Sequence, residues 1–395
     1  MLETKLTTMT RLPLILFFLF SFTISFAQDK SNFEHTIQSE AFGKERKVRV
    51  FLPERYHRDS TSTYIVTYVL DAQSDEFWGM AKNNIGYLVN GYSVIPMIAV
   101  GIVSDDRGEE FSPPATSLQD HLRNEVFPLI EKNYRVKPFR TVVGHSWGGA
   151  FIGTTLFGKN RDLFDAYIGI SPSFGDTDNV IVKHADTLLK AQTNFKKYLY
   201  LSHGDVGRRE AEFGGYVASI DSLMTKYPNQ SLAWQPRLIT GTDHWQIVIP
   251  SFNDGLISMS RNYFADQKVM EDFAKQPNGD LIKQVDDFYE EKLRTFGFIN
   301  KPTASYLNFV GNDFRDLNDY KTALVLYKMA LTEEPDNVKV YVNLADTYDK
   351  MENKELAKKN FIKTLELLET NKEALSENYY RNVSKWAQEK LAEYK

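Results

Sequence analysis

The clearest chemical signal in this 395-residue chain is Gly144-His145-Ser146-Trp147-Gly148. It follows the apolar run Thr141 to Gly144 and leads into Gly149-Ala150 and a helix-like stretch to Phe157. Glycines two residues on either side of a serine permit the tight strand-to-helix turn of a nucleophile elbow, which lifts the hydroxyl above a sheet. A bare pattern of this kind arises by chance in many chains; the strand before it and the helix after it give it weight. The chain contains no cysteine. That removes thiol catalysis, disulfides, Cys-ligated zinc and lipidated cysteine, and leaves oxygen as the nucleophile.

A serine nucleophile needs a base, and after an elbow the expected order is Ser, acid, His. Of the seven histidines, His184, His203 and His244 follow Ser146. His184 lies in a polar helix-like segment and His203 ends the run Lys197 to Ser202. His244 sits in a polar loop, Gly241-Thr242-Asp243-His244-Trp245, beyond an apolar stretch ending at Ile239, and is the expected base. The acid stays open between Asp205, which follows the strand end most closely, and Glu210, at the start of the next helix and with a longer reach; Glu212 is a third choice. An oxyanion hole needs two backbone N–H groups. The amide of Trp147 supplies one, and the loop Leu70-Asp71-Ala72-Gln73 supplies the other through Gln73, with Ala72 next.

These residues need a scaffold that brings strand ends together. Tyr64 to Leu70, Ile95 to Val103, Thr141 to Gly144 and Lys197 to Ser202 are short, apolar and rich in β-branched or aromatic residues. Helix-like segments such as Leu118 to Lys132 separate them. This alternation predicts a parallel sheet covered by helices on both faces, an α/β architecture, with an antiparallel edge hairpin over His35 to Pro53. At the N-terminus, Lys5 and Arg11 precede the apolar run Leu12 to Ile24, and Ser25-Phe26-Ala27 supplies small residues for a cut before Gln28. That order predicts an export signal over residues 1–27, removed in a periplasmic or secreted protein, with no stable membrane insertion afterwards.

The last hundred residues repeat with a period of 34. Leu307, Gly311, Phe314, Ala323, Tyr327, Ala330 and Pro335 mark one unit, and Tyr341, Ala345, Tyr348, Ala357 and Phe361 a second. The spacing matches tetratricopeptide helix pairs. Thr364 and Glu369 depart from the pattern, and Leu375 to Leu391 reads as an amphipathic capping helix. The expected organisation is therefore a signal over 1–27, an α/β domain over 28–265, a helical connector over 266–303 interrupted at Gln276 to Gly279, and an all-α repeat region over 304–395. The repeats either dock on the preceding domain or offer a groove to a protein or peptide partner.

With Ser146 and His244 placed, residues 33 to 265 resemble the putative esterase family of alpha/beta-hydrolases, which includes esterase D, feruloyl esterases and siderophore trilactone esterases. The points of match are Val48 to Pro53, Tyr68-Val69-Leu70-Asp71, Val100-Gly101-Ile102 with Arg107, Phe111-Ser112-Pro113, Gly144 to Gly149, Ile170-Ser171-Pro172-Ser173 and Asp243-His244. The elbow and the Ile-Ser-Pro-Ser run are most similar to the siderophore branch, as is the pair Arg209-Glu210. The resemblance implies hydrolysis of a carboxylic ester through an acyl-Ser146 intermediate and an Arg107 that faces the substrate cleft. Ala72 replaces the family's usual glycine in the Leu-Asp-Gly run.

The expected activity is thus that of a serine esterase on a small-molecule ester, siderophore-type or aryl/acyl-sugar. The alternative is a catalytically idle hydrolase fold that holds a partner through its repeats. Trp147 and Trp245 flank the two central residues and either stack on an aromatic or sugar substrate or pack the elbow. A net charge of −5 offers no footprint for nucleic acid. No metal or nucleotide cofactor is implied, because the chain lacks zinc-helix, phosphate-loop and calcium-loop patterns. The acidic cluster Asp105, Asp106, Glu109 and Glu110 is expected to be simply solvated.

Overall fold

The computed structural model describes residues 30–394 apart from 59–61, 176–178, 192–194, 277–278, 298 and 300, so the export-signal segment lies outside the described residues. From Ser31 onward the chain forms one compact unit. In chain order, its first part runs through β1 (Asn32–Ser39), β2 (Lys44–Phe51), α1 (Glu54–Arg58), β3 (Tyr64–Val69), α2 (Asp75–Asn90) and β4 (Met97–Ile102). Next come α3 (Arg107–Phe111), α4 (Thr116–His121), a π-helical turn (Leu122–Val126), α5 (Phe127–Asn133), β5 (Val136–His145) and α6 (Trp147–Phe157). The α/β part closes with β6 (Ala166–Ile170), α7 (Val180–Ala191), β7 (Lys197–His203), α8 (Arg208–Lys226), β8 (Leu232–Leu238) and α9 (Val248–Tyr263). Among the described residues there follow α10 (Gln267–Ala274), α11 (Leu281–Phe296), α12 (Ala304–Asp316), α13 (Tyr320–Glu333), α14 (Val338–Lys350), α15 (Lys354–Thr370), a short 3-10 turn (Lys372–Ala374) and α16 (Glu377–Glu393).

The eight strands make one mixed sheet in the order β1-β2-β4-β3-β5-β6-β7-β8. β1, β2 and β4 pair antiparallel, which is the expected opening hairpin joined to the main sheet. β4, β3, β5, β6, β7 and β8 are parallel. The alternation of side chains on each strand explains why the runs are apolar throughout: Val142, Tyr167 and Leu199 enter one core while Val143, Ile168 and Tyr200 enter the other. The chain runs from β3 outward to β4 and then returns to β5, so the carboxyl ends of β3 and β5 flank a topological switch point. In open α/β sheets that is where ligands bind. β6 and β8 complete the parallel set; neither was marked as a strand by the apolar runs, since β6 has only five residues and β8 carries Gln235, Pro236 and Arg237.

The C-terminal region is all helical and shares a core with the α/β part. Phe252, Leu256 and Met259 of α9 belong to the same buried cluster as Tyr289, Tyr306, Leu307, Val310 and Tyr327. Its docking site is the amino-terminal edge of the strands, the edge opposite the elbow. There Phe309 stacks on Tyr92 with centroids 4.8 Å apart, and Tyr306 packs on Phe264 at 4.5 Å. Arg55 lies over the Tyr92 ring at 3.6 Å, and Thr63, Val94, Pro96 and Lys137, around the starts of β3, β4 and β5, line a crevice with Tyr306. Within the region, Gly311 is packed so closely on Tyr327 that an added Cβ would lie 2.5 Å from the ring. Thr364, a departure from the repeat pattern, is fully buried and satisfies its hydroxyl on the Asn360 carbonyl at 2.9 Å.

Because Tyr306 is buried between the two parts, truncating it should weaken both. Tyr306→Ala is expected to lower stability by about 3–5 kcal/mol, with the tryptophan fluorescence of the α/β part and the far-UV helical signal shifting together in urea. An unmoved fluorescence midpoint would show that the two parts are energetically independent.

Candidate functional site

The elbow is built by backbone constraint. Ser146 has φ +58° and ψ −111°, a conformation that a residue with a side chain occupies at a cost of about 1–3 kcal/mol. The turn is locked by the Ser146 N–H on the Ile170 carbonyl at 2.9 Å and by the Ser146 carbonyl, which accepts from Ser173 N–H at 3.1 Å. The close approach of β5 and α6 demands glycine at two places. A Cβ on Gly144 would lie 2.5 Å from the Gly148 carbonyl carbon, and one on Gly149 would lie 2.6 Å from Pro172. Trp147 is the first helical residue, so its N–H has no acceptor within the helix.

His244 and Glu210 meet beside this turn. The His244 Nδ1–H donates to Glu210 Oε1 at 2.9 Å, and both side chains are buried. The other Glu210 oxygen accepts from the Ser171 hydroxyl at 2.9 Å and from the Gly204 N–H at 2.6 Å. Burial alone would push the Glu210 carboxyl up, but the hydrogen bonds from His244, Gly204 and Ser171 outweigh it and hold the pKa below the ordinary glutamate value. Glu210 is thus a buried anion, and its bond orients the His244 ring with Nδ1 toward the carboxylate. Asp205 is elsewhere: exposed, it accepts from the Gly241 N–H at 2.6 Å and so ties its own loop to the His244 loop. Glu212 bonds the Tyr216 hydroxyl. Of the other two histidines, His184 is on α7 and His203 donates to the Gly204 carbonyl at 2.8 Å.

Three aromatic rings surround the His244 imidazole. His145 lies 4.4 Å from it, Phe213 5.2 Å and Trp245 5.4 Å, centroid to centroid. The His145 Nε2–H donates to the main-chain carbonyl of His244 at 2.9 Å. Burial, reinforced by the nearby His244, pushes the His145 pKa down to about 3, so the ring is neutral. The two tryptophans divide: Trp147 packs half-buried on the core, whereas Trp245 is 73% exposed.

The loop after β3 is held just as firmly. Asp71 turns the chain with φ +64°, and its buried carboxylate receives a bidentate contact from Arg107, 2.6 Å from Nε and 2.9 Å from Nη2. Arg107 Nη2 also donates to the His145 carbonyl at 3.2 Å, joining this loop to the elbow. The Ala72 N–H is spent on the Ile102 carbonyl at 3.0 Å, which removes it as an oxyanion donor. Both ends of the Gln73 side chain are anchored, Nε2 on Asp71 at 2.9 Å and Oε1 on the Ser104 N–H at 3.0 Å, which fixes the conformation of the loop after β3. The Arg107 side chain is 36% exposed while it holds Asp71.

One member of the acidic cluster, Glu110, departs from the expectation of simple solvation. Glu110 is buried and forms a two-pronged pair with Arg46 at 2.6 and 2.8 Å, and Asp105 bonds Arg46 at 3.2 Å. Glu110 is the buried member; Asp105, which also pairs with Lys44, stays at the surface with Asp106 and Glu109, and Asp106 caps α3. Among the described residues no group of three or more His, Asp and Glu side chains is arranged to hold a metal.

Sequence reasoning did not single out three residues of this site. Ser171, named only within the Ile170-to-Ser173 match, has φ +44° and no exposure and directly follows β6. A reading of Ala166–Ile170 as a strand would have placed it at a strand's carboxyl end, next to the elbow. His145 was hidden within the motif as the variable position. Phe213, five residues beyond the start of α8, carries no local signal.

A family model described as Putative esterase matches residues 39–249, more than half of the chain. Among solved structures, the chain is similar to an IroE-like serine hydrolase from Shewanella oneidensis, at 19% identity and a TM-score of 0.63, covering 76% of this chain and 99% of that one. An uncharacterised protein from Capnocytophaga ochracea matches at 14% identity and a TM-score of 0.61, covering 85% and 93%. The siderophore hydrolase EstB from Aspergillus nidulans matches at 19% identity and a TM-score of 0.52, covering 59% and 95%. No curated protein matches the chain.

A buried neutral histidine has a consequence for stability. Since the folded pKa of His145 lies below the unfolded value of 6.5, the unfolded chain binds more protons between those pH values, and stability falls as pH drops from about 6.5 toward 3. His35 and His121, also pushed down by burial, contribute to the same slope. His145→Gln should therefore flatten the dependence of urea-unfolding free energy on pH between 6.5 and 5 by up to one proton. An unchanged slope would mean that His145 titrates normally in the fold.

Proposed function

Since the chain belongs to the putative esterase family and is a hydrolase acting on esters, we propose that it works as a serine esterase, with Ser146 as nucleophile, His244 as base and Glu210 as the acid. The observation that carries this reading is the buried Glu210 carboxylate on His244 Nδ1, beside a serine held at positive φ. Such a pairing leaves Nε2 to take the Ser146 proton as Oγ attacks the ester carbonyl. The tetrahedral oxyanion is held by the N–H groups of Trp147 and Gln73. Collapse breaks the C–O bond to the alcohol, which leaves with the proton from the His244 imidazolium. A water molecule, deprotonated by His244, then attacks the acyl-Ser146 and releases the acid.

For the substrate, the reading favours a small ester with an aryl, sugar or siderophore-type part. Trp245 exposes a flat aromatic surface next to His244, and the Arg107 side chain, bonded to the His145 carbonyl, stays partly exposed. The similarity to a siderophore hydrolase points the same way. We read residues 1–27 as an export signal that delivers the enzyme to the periplasm or the medium, on the strength of its charged, apolar and small-residue order. No helix among the described residues is long and apolar enough to cross a membrane. The helix pairs α12–α13 and α14–α15 are read as two tetratricopeptide-like units with α16 as their cap. Their attachment at the edge opposite Ser146 favours a stabilising or partner-holding role over that of a lid on the cleft.

Two substitutions test the assignment. Ser146→Ala should abolish hydrolysis of p-nitrophenyl acetate and labelling by a fluorophosphonate probe while leaving Tm nearly unchanged; retained turnover would remove Ser146 from the mechanism. Glu210→Gln should lower kcat by about 10²- to 10⁴-fold, against less than about threefold for Asp205→Asn, and the reverse ranking would transfer the acid role to Asp205.

A further inference from the structure

We propose that His145 is a positioning residue for the ester hydrolysis, coupling the nucleophile elbow to the backbone that carries the base; this rests on the serine-esterase reading above. His145 is the last residue of β5 and immediately precedes Ser146. Three contacts make it a junction. Its side-chain Nε2–H donates to the His244 carbonyl at 2.9 Å. Its own carbonyl accepts from Arg107 Nη2 at 3.2 Å, and Arg107 grips Asp71 in the loop that carries Gln73. Its ring lies 4.4 Å from the His244 ring, which is backed on another side by Phe213 at 5.2 Å. One residue therefore adjoins the nucleophile, touches the segment that carries the base and, through Arg107, is linked to the loop that carries Gln73.

The chemistry requires the donor and a neutral ring. His244 hangs in a loop between β8 and α9, and the Glu210 bond fixes only the side-chain end of the residue. A hydrogen bond to the main-chain carbonyl of the same residue fixes the other end, so the Nε2 lone pair is aimed by two restraints and not by one. Misplacement of a reacting group by about 1 Å can cost about 100-fold in rate. Neutrality matters because His244 becomes an imidazolium in the transition state, and a second positive ring at 4.4 Å would oppose that charge. The burial of His145, 4% exposed, favours the uncharged form throughout the working pH range. A carbonyl can only accept, so the neutral ring carries its proton on Nε2.

The test separates the hydrogen bond from the ring. His145→Phe keeps a buried ring and loses the donor, whereas His145→Gln keeps an N–H donor near the Nε2 position. Each variant of the full chain is assayed with p-nitrophenyl acetate, normalised to active sites titrated with a fluorophosphonate. In parallel, proton NMR follows the low-field His244 Nδ1–H resonance held by Glu210. The expected result is a kcat about 10- to 100-fold lower for His145→Phe with KM within twofold, a broadened Nδ1–H resonance, and recovery of most of the rate and of the sharp resonance in His145→Gln. Equal losses in the two variants, a loss confined to KM or to the number of titratable sites, or an unchanged resonance in His145→Phe would overturn the proposal. If wild type and Ser146→Ala turn over the ester equally, the serine mechanism fails, and the positioning role in that reaction fails with it. A wild type that requires Ser146 with His145 variants that do not divide overturns the positioning role alone.

Discussion

The geometry of the site depends on one backbone conformation, the positive φ of Ser146 between β5 and α6. It sets the requirement for glycine at 144 and 149, where any side chain would collide with the Gly148 carbonyl or with Pro172. It also fixes the direction of α6, whose first N–H groups face the end of β5. The strain is sustained because the surrounding contacts are over-determined: the Ser146 N–H is bonded to β6, the Ser146 carbonyl receives Ser173, and Ala150 to Leu156 are sealed in the core. A residue held this firmly has little freedom to relax, which is what the proposed role of Ser146 as nucleophile requires.

Around the elbow the charges are arranged in two buried or partly buried pairs with different tasks. Arg107 with Asp71 is mechanical, clamping the loop after β3 to the His145 carbonyl and leaving Gln73 anchored at both ends of its side chain. Glu210 with His244 is electrostatic. Its carboxylate is fully buried, yet it stays ionised because Ser171, Gly204 and His244 together supply three hydrogen bonds. Removing one donor leaves the other two holding an uncompensated charge, so this set behaves as a unit. The helical region stands apart from both pairs. It completes the apolar face of the sheet through Tyr306, Leu307 and Val310 and leaves the carboxyl edge of the strands open.

Much of this was legible in the residues. The tight turn at Ser146, the loop after β3, the place of His244 beyond β8 and the alternation that builds the parallel sheet all have local signatures: glycine spacing, apolar runs and chain order. The period of 34 marked where the helical pairs lie. Less legible was everything decided by distance in space. Asp205 and Glu210 are five residues apart, and only the entry angle of α8 decides that the second turns inward while the first stays on the surface. Glu110 looks like one of four solvated acids until Arg46, far away in sequence, meets it beneath β2. β6 and β8 were overlooked for opposite reasons, one too short to show a pattern and the other too polar because it forms the edge of the sheet. The docking edge of the helical region rests on Tyr92, Phe264 and Phe309, residues with no common motif.

Trapping the acyl-enzyme tests the central claim most directly. The protein is mixed with an activated ester, quenched in acid within the first turnovers and digested, and the peptides are weighed by mass spectrometry. An acyl group on the peptide containing Gly144-His145-Ser146-Trp147-Gly148, located on Ser146 by fragmentation and chased off by water on dilution, is the predicted result. Hydrolysis that proceeds with no adduct on Ser146 under the same quench, or with the adduct on another residue, would contradict it.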